Sequence, residues 1–482
     1  MIFFYLFVLF QVANGQNDEF ACKILDPLKM RIGSTIYIPS NSTAPFSIPP
    51  NFNCTYKFLV PESAYLRLSV INGLADLDSI EFSDSLGYRR NVTKLAIANE
   101  EFFATYGVGE LRVLTGSGAN SKALLKFEWM KLPSSQNAME IHKNASGISV
   151  DCQDIVRNAV TFRTSDKNET VALSVAHSGF ILDNFDSFFI FDGNDTNSKA
   201  IGRLSDYILT PYSPSNQVVT ILGLTRKNVY SNVMVNILSN IASFVKYQSA
   251  VIIDQQGATL DSTNQTVVIT FVAKNGNQLY MTDLQFSEIE NSNCKVRVIS
   301  GTPSPVAKHL LTYTPLSPLQ NSFPQQFPSN MFSIELTDCS IYVVISKNQP
   351  KNFFEVESGR VGYAFTPSYL DASLTAQLNF TLNSNTSLSY STVVESVNVA
   401  DDSQLAINVY NSKGLSAMSI VITGNQTGGS AQAIGTSVNI QFNSSSHSAG
   451  SAKIRYSIGI NSSCVHFNLL FLFFIAIFTG RI

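Results

Sequence analysis

The histidines and serines of the chain are its candidates for nucleophilic and acid–base chemistry. His177 stands beside Ser178 and a few residues before Asp183, and these are the residue types of a hydrolase triad. Neighbouring residues on a strand point to opposite faces, so this spacing does not assemble a triad. The sequence Gly414-Leu-Ser-Ala-Met418 resembles a nucleophile elbow but lacks its final glycine. We predict no catalytic residue and no enzymatic activity.

The sequence also contains no motif for binding a metal ion or a phosphate group. The chain lacks HExxH and a glycine-rich phosphate loop, and its cysteines lack the short spacings of zinc ligands. Lysine and arginine form no cluster and the formal net charge is −3, so nucleic acid is not an expected partner. We predict no metal site and no cofactor. The remaining histidines are scattered: His142, His309, His447 and His466.

The N-terminus has the pattern of a signal peptide. Residues Met1–Gly15 contain an apolar run, Ile2–Phe10, followed by small residues with the Ala13-x-Gly15 spacing that signal peptidase accepts. The run is about half the roughly 20 residues that cross a bilayer. We therefore expect export and removal of residues 1–15.

The C-terminus resembles a lipid-attachment signal. An apolar stretch, Leu469–Phe478, almost ends the chain and follows the small residues Asn461-Ser-Ser463, as in a GPI signal attached at Asn461. The spacer is shorter than the usual 8 to 12 or so residues, so other small residues before the tail are alternative attachment sites. A membrane span is the other interpretation. We expect the protein at the outer face of the plasma membrane, or secreted.

The six cysteines are disulfide candidates in an exported chain. Proximity along the chain favours Cys22 with Cys54 and Cys294 with Cys339. Cys152 and Cys464 remain. Removal of the tail would leave Cys152 as a thiol that is free or joined to another chain, whereas a disulfide to Cys464 would exclude cleavage at Asn461.

Exported chains acquire N-linked sugar at Asn-x-Ser/Thr, and such sites must face solvent. Only 14% of the residues are charged, so sugar and neutral polar groups must cover much of the surface. The candidate glycosylation sites are Asn41, Asn53, Asn91, Asn144, Asn168, Asn194, Asn264, Asn379, Asn385, Asn425 and Asn443, with Asn461 as a further sequon.

Apolar and polar residues alternate with a period of two in many short segments, for example Tyr56–Val60, Tyr65–Val70 and Val267–Val272, and this predicts strands. Asn275-Gly276 is the strongest hairpin signal. Helical periodicity is limited to a short piece near residues 94–105. We predict an all-β chain of tandem antiparallel, jelly-roll-type sandwiches.

An internal repeat predicts two copies of one module. Three blocks beginning at Leu66, Leu77 and Leu111 recur in order about 107 residues later. We predict sandwiches over residues 20–133 and 140–245. Fainter signals predict a third sandwich over residues 250–365. Residues 370–460 form either a fourth sandwich, which we prefer, or a Ser/Asn-rich stalk. The hydrophobic tail follows at 464–482.

The first module resembles the CUB-like domain of secreted nematode proteins. The resemblance spans the whole module and depends on the order of its motifs. They are Cys22, Ile48–Asn51, Cys54–Pro61, Leu66–Val70, Asp78–Phe82 and Leu125–Trp129.

That resemblance implies two positions at which a Ca²⁺ site could occur. Several CUB domains hold Ca²⁺ with an Asp and with a Glu eight residues earlier. The Asp positions here are Asp78 and Asp186, but Val70 and Ser178 occupy the Glu positions. We expect each Asp to organise a turn instead.

We expect the protein to be a cell-surface binding or coat glycoprotein with an unknown extracellular protein or carbohydrate ligand. The resemblance implies a role in innate immune or stress defence at an epithelial surface. The alternatives are a secreted hydrolase or hydrolase inhibitor, and an adhesive matrix component.

Overall fold

The computed structural model confirms the all-β prediction, and the residues that it describes form 32 strands in six sheets. The predicted signal peptide, Cys22 and the C-terminal tail lie outside the described residues. Among the residues that are described, no helix is long and apolar enough to cross a membrane. The structure describes residues 31–40, 42–93, 99–118, 120–179, 184–214, 217–225, 227–262, 265–287, 293–399, 403–424, 428–444 and 450–459.

The first unit is a sandwich of two sheets with strand orders β1-β9-β4-β7, to which β2 adds, and β3-β8-β5-β6. Alternate residues of each strand point into one core, where the rings of Phe58 and Phe127 meet at 6.1 Å between the sheets. Its strands are β1 Thr35–Ile38, β2 Phe46–Ser47, β3 Asn53–Val60, β4 Ala64–Gly73, β5 Ser79–Ser83, β6 Arg89–Val92, β7 Asn99–Ala104, β8 Gly107–Leu114 and β9 Lys122–Lys131.

An ion-pair cluster on the outer face of this unit makes its stability depend on pH. Burial raises the pKa of Glu128, but hydrogen bonds from Lys126 and Arg67 outweigh that effect and leave the pKa below its usual value of 4.5. Arg67 Nε lies 2.8 Å from a Glu128 oxygen. The stabilisation is therefore present above about pH 4.5, the value in the unfolded chain, and is lost as the pH falls through the lower, folded-state value.

We expect Glu128→Gln to lower the free energy of unfolding by about 1 to 3 kcal/mol at pH 7, because a charge-assisted hydrogen bond is lost. The difference from the unmodified protein should shrink as the pH falls below 4.5. Urea unfolding followed by the fluorescence of Trp129, the single tryptophan, measures both effects. A difference that is the same at acid and neutral pH would contradict this assignment.

The second unit repeats the strand order of the first. Its β12-β16-β14-β15 sheet, extended by β10, corresponds to β3-β8-β5-β6, and β11-β17-β13 corresponds to β1-β9-β4. One-turn helices lie at Cys152–Ile155 and Leu238–Ile241. Its strands are β10 Ser135–Glu140, β11 Ile148–Asp151, β12 Ala159–Arg163, β13 Val171–His177, β14 Phe188–Phe191, β15 Ala200–Arg203, β16 Val218–Gly223 and β17 Asn232–Ile237.

The third unit shares a sheet with the second. Strand β18 pairs with β13 in parallel at Ala176↔Ser249 and His177↔Ala250, giving an eight-stranded sheet, β11-β17-β13-β18-β20-β25-β22-β23. The opposing sheet is β19-β26-β21-β24. The strands of this unit are β18 Lys246–Ile252, β19 Gln255–Asp261, β20 Thr266–Ala273, β21 Leu279–Phe286, β22 Lys295–Ser300, β23 His309–Tyr313, β24 Gln325–Phe327, β25 Met331–Thr337 and β26 Ser340–Ser346.

The fourth unit is one six-stranded sheet, β27-β32-β28-β31-β29-β30, with its own core. Strands β28 and β31 pair along most of their length and shift register between Asn383 and Leu388. A one-turn helix lies at Pro367–Leu370. The strands are β27 Val361–Phe365, β28 Leu378–Asn398, β29 Gln404–Tyr410, β30 Ser416–Thr423, β31 Gly429–Asn443 and β32 Ser451–Gly459.

Three details differ from the sequence-based expectations. Asn275-Gly276 joins β20 to β21, which belong to different sheets, so it reverses the chain without forming a hairpin. Residues 99–104 form strand β7 where a short helix was expected, because Phe102 is needed in the core. The sheets are also not purely antiparallel, since β10–β12, β13–β18 and β18–β20 pair in parallel.

The described cysteines are all in or near the cores. A disulfide joins Cys294 to Cys339, the pair favoured by proximity. Cys54 is disulfide-bonded, and Cys22, its expected partner, lies outside the described residues. Cys152 is wholly buried in the second unit, so its sulfur is not at a surface where another chain would reach it. Cys464 also lies outside the described residues.

Candidate binding cleft between the first and second units

The histidines considered for catalysis lie far apart in different surroundings. His142 Nδ1 is 3.8 Å from a carboxylate oxygen of Asp166, and His309 Nε2 is 2.7 Å from the hydroxyl of Thr312. His177 Nδ1 accepts a hydrogen bond from the Gly179 amide. Asp183, His447 and His466 lie outside the described residues. No group of three metal-ligating side chains occurs in the part of the chain that the structure describes.

Asp78, the first position considered for calcium, is buried and fastens two loops. Its two carboxylate oxygens accept hydrogen bonds from the Gly116 amide at 2.8 Å and from the Ser121 hydroxyl at 2.5 Å. Val70, at the position of the missing carboxylate, is buried in the core. Asp78 thus has a structural role, although its carboxylate joins two distant loops and does not organise its own turn as we expected.

Asp186, the second such position, lies at the junction between the first two units. The hydroxyl of Tyr88 donates to Asp186 at 3.0 Å, and Arg90 approaches the same oxygen at 3.7 Å. Burial and the Asp186 charge raise the pKa of Tyr88 to about 12, so its hydroxyl stays a donor. Ser178, which occupies the position of the missing carboxylate, directly follows β13, and its amide donates a hydrogen bond to the hydroxyl of Ser231.

A buried arginine joins the two units at this junction. The guanidinium of Arg203, from the end of β15, pairs with the carboxylate of Asp84, and their side chains are only 2% and 1% exposed. It also donates to the carbonyl oxygens of Phe103, at 2.8 Å, and of Asp186. The rings of Tyr88 and Phe189 lie 4.3 Å on either side of it. Asp84 is itself held by backbone amides of its own turn.

Apolar side chains surround this ion pair and bury the faces that the two units turn toward each other. The cluster consists of residues on the outer surfaces of β7 and β14 and of the strands beside them. Because these positions are covered, β14 is buried on both faces. The members are Phe103, Leu132, Ala159, Phe189, Phe191, Leu222 and Leu224.

Next to the cluster, the two units leave a cleft of about 510 Å³. Its floor is apolar and includes Leu86, Leu132 and Phe191. Its walls carry hydroxyl and amide groups from the turns that follow β3, β5 and β7 in the first unit and from residues 196–200 of the second. Ser63 of the first wall donates to Asn197 of the second at 2.8 Å, which holds the walls together.

Two adjacent residues of the cleft differ in exposure. Thr105 is 2% exposed, and its hydroxyl, which is closed off from solvent, has no hydrogen-bond partner among the described residues. The next residue, Tyr106, is 58% exposed at the rim, so its side chain is available to a ligand. Glu62 and Lys199 place one charge of each sign at the opening.

Sequence reasoning missed the cleft, the buried ion pair and their residues, although one signal was present. Phe188-Phe-Ile-Phe191 is an uninterrupted apolar run, which is typical of a strand buried on both faces and not of a solvent-facing sandwich strand. The run therefore indicated that something covers the outer side of β14.

The described sequons leave the cleft free. All eight asparagines are exposed, and none lines the cleft, although Asn194 begins the turn that leads to its wall. They are Asn53, Asn91, Asn144, Asn168, Asn194, Asn379, Asn385 and Asn443. Asn41, Asn264, Asn425 and Asn461 lie outside the described residues, and occupancy of every site stays a prediction.

Comparison with known proteins identifies the first unit. Residues 17–133 match the family model of the CUB-like domain, so the chain contains such a domain. No curated protein matches the chain.

Three solved structures show remote likenesses. The CUB1-EGF-CUB2 domains of rat MASP-1 are 10% identical, with 44% of this chain and 99% of that chain covered and a TM-score of 0.16. The same region of human MASP-1/3 is 7% identical, with 66% and 100% covered and a TM-score of 0.18. The insecticidal δ-endotoxin Cry8Ea1 of Bacillus thuringiensis is 8% identical, with 39% and 52% covered and a TM-score of 0.16.

Proposed function

Because the chain contains a CUB-like domain, a type that is typically an extracellular and non-catalytic binding module, we propose that it is an extracellular binding protein. Its ligand occupies the cleft between the first and second units. The single observation that carries this proposal is the cleft itself, about 510 Å³ in volume, whose walls belong to two interlocked units.

The Arg203–Asp84 pair supports the proposal because it fixes the cleft before a ligand arrives. A buried ion pair is stable only when guanidinium and carboxylate are well aligned, and the rings and carbonyl oxygens around Arg203 further restrict the orientation of its guanidinium. A preformed site loses less conformational entropy on binding. The apolar floor and the hydroxyl-rich walls suit a ligand that combines an apolar group with a hydrogen-bonding group.

The cellular setting is part of the proposal. The signal peptide pattern, the exposed sequons and the disulfides support a glycoprotein of the cell exterior, and the C-terminal pattern supports a GPI anchor. The resemblance to nematode CUB-like proteins supports a role in epithelial defence against pathogens or stress.

We expect Tyr106→Ala to weaken ligand binding at least tenfold, since exposed aromatic side chains at a pocket rim often dominate binding energy. The full chain, purified in detergent and immobilised, is probed with arrays of secreted proteins and of glycans, and each ligand found is titrated against the variant. Val108→Ala is the matched control, because Val108 is 56% exposed two residues farther along and does not line the cleft.

A second variant separates binding from folding. Thr105→Val removes a sealed hydroxyl that has no partner among the described residues, so neither the stability nor the affinity should fall, and loss of binding in Tyr106→Ala then reports the rim contact. Equal binding by Tyr106→Ala and the unmodified chain would exclude the cleft. Turnover of glycosidic, ester or peptide substrates by the purified chain would overturn the binding function in favour of a hydrolase.

A further inference from the structure

A second cavity, of about 320 Å³, lies where the third and fourth units meet. It is near the lower end of the roughly 300 to 1,000 Å³ typical of ligand pockets, so it suits one small ring. It shares no lining residue with the cleft of the first two units. A function for this cavity is therefore independent of the function proposed above.

The floor of the cavity is the outer face of the fourth unit's sheet. Strand pairing places β27, β32 and β28 side by side, so that alternate residues of the three strands form rows across this face. One row is apolar and hydroxylic, and the next carries an aromatic ring and a guanidinium. The rows are Val361-Ser457-Ser391 and Tyr363-Arg455-Val393.

A buried tyrosine of the third unit lines the cavity opposite this floor. Tyr313, at the end of β23, is 7% exposed. Burial raises the pKa of Tyr313, so its hydroxyl keeps its proton and can donate. Tyr456, between Arg455 and Ser457 in β32, points to the opposite face of the sheet, where its ring packs against Phe380 in the core of the fourth unit.

The charge of the cavity is positive. Arg455 is 54% exposed and contacts Glu395 only through Nε, at 3.5 Å. The same carboxylate is 3.1 Å from the ammonium of Lys453. One acid thus faces two cations, and the outer two nitrogens of the Arg455 guanidinium remain available for a planar anion.

The two walls are held in place by contacts between the units. The side chain of Gln325 in the third unit donates to the Tyr363 carbonyl and accepts from the Tyr363 amide, both at 2.9 Å. Arg360 of the fourth unit donates to the Asn321 carbonyl at 3.1 Å and to the Pro324 carbonyl. The floor and the wall therefore keep their relative position without a ligand.

We propose that this cavity binds an acidic sugar, a hydroxylated pyranose ring that carries one carboxylate. The carboxylate pairs with the free nitrogens of Arg455. The ring hydroxyls exchange hydrogen bonds with Tyr313 and the serines of the floor, which can both donate and accept. A neutral sugar satisfies the hydroxyls but leaves the excess positive charge without a partner.

Methyl β-glucuronide and methyl β-glucoside test the proposal, since they differ only in a carboxylate that replaces a hydroxymethyl group. They are titrated by calorimetry into the full chain, purified in detergent and freed of N-glycans. We expect the glucuronide to bind at least tenfold more tightly than the glucoside, as charge-assisted bonds are about twice as strong as neutral ones. Failure of both sugars to bind, or equal affinity, would overturn the proposal.

Arg455→Met should abolish the preference for the glucuronide. Arg297→Met is the matched control, because Arg297 is 51% exposed and pairs with Glu335 away from the cavity, and it should retain the preference. Tyr313→Phe removes one hydroxyl and should weaken both sugars about two- to tenfold. A preference that survives in Arg455→Met, or disappears in both arginine variants alike, would exclude this site. Loss of ligand binding in Tyr106→Ala leaves these results untouched, so the two proposals fail separately.

Discussion

Arg203→Met is expected to lower the free energy of unfolding of the first two units by about 3 to 5 kcal/mol, because it leaves the Asp84 carboxylate buried without its counter-charge. The two side chains are 2% and 1% exposed, so water cannot replace the missing guanidinium. The substitution also removes hydrogen bonds to two carbonyl oxygens and the contact with two rings. All these contacts lie at the junction of the units.

Urea unfolding measures this loss. The fluorescence of Trp129 follows the first unit, and far-UV circular dichroism follows all the sheets. Arg163→Met is the control, since Arg163 is 55% exposed and pairs with Glu140 at 3.7 Å, and surface pairs of this kind contribute little to stability.

A double variant tests the cause. Asp84→Leu combined with Arg203→Met removes both charges, so it should be less destabilised than Arg203→Met alone. If the two substitutions are simply additive, the buried ion pair is not what holds the units together.

The second large effect is expected from the disulfide in the third unit. Its cysteines are 45 residues apart, and the loop-closure model assigns a cross-link of that span about 4 kcal/mol of stability. Cys294→Ala and Cys339→Ala should each lose roughly this amount, because either substitution opens the same loop. Thermal unfolding monitored by far-UV circular dichroism, without and with a reductant, gives the loss.

The double variant Cys294→Ala/Cys339→Ala should be about as stable as either single variant. The reductant should lower the stability of the third unit in the unmodified protein and leave the stability of that unit unchanged in the double variant. A double variant that loses the sum of the two single effects would show that packing of the buried sulfur atoms matters more than the cross-link.

Local patterns in the sequence were sufficient to predict much of the fold. The residues of β3 alternate between exposed and buried positions, which is the period-two pattern that identified the strand. The first two units share a strand order, since equivalent strands occupy equivalent places, and their origin by duplication stays a prediction. Asn275-Gly276 shows the limit, because a turn dipeptide fixes the local backbone and not the sheet in which the next strand pairs.

The candidate sites were harder to predict because they depend on contacts between distant residues. Arg203 and Asp84 are 119 positions apart, and nothing in the spacing of either residue indicates that they meet. Asp186 was found by position, but its contact with Tyr88 depends on how two units pack. The apolar run of β14 was the one local sign of that packing.

The sheet that continues from β13 to β18 has a consequence for biosynthesis. The chain is made from the N-terminus, so the second unit leaves the ribosome before Lys246–Ile252 does. Until then β13 is an edge strand whose unpaired backbone N–H and C=O groups can pair with another nascent chain. A truncation that ends before β18 leaves this edge strand unpaired permanently, so the second unit is a poor choice for expression alone. Slow translation after β17 should favour aggregation for the same reason.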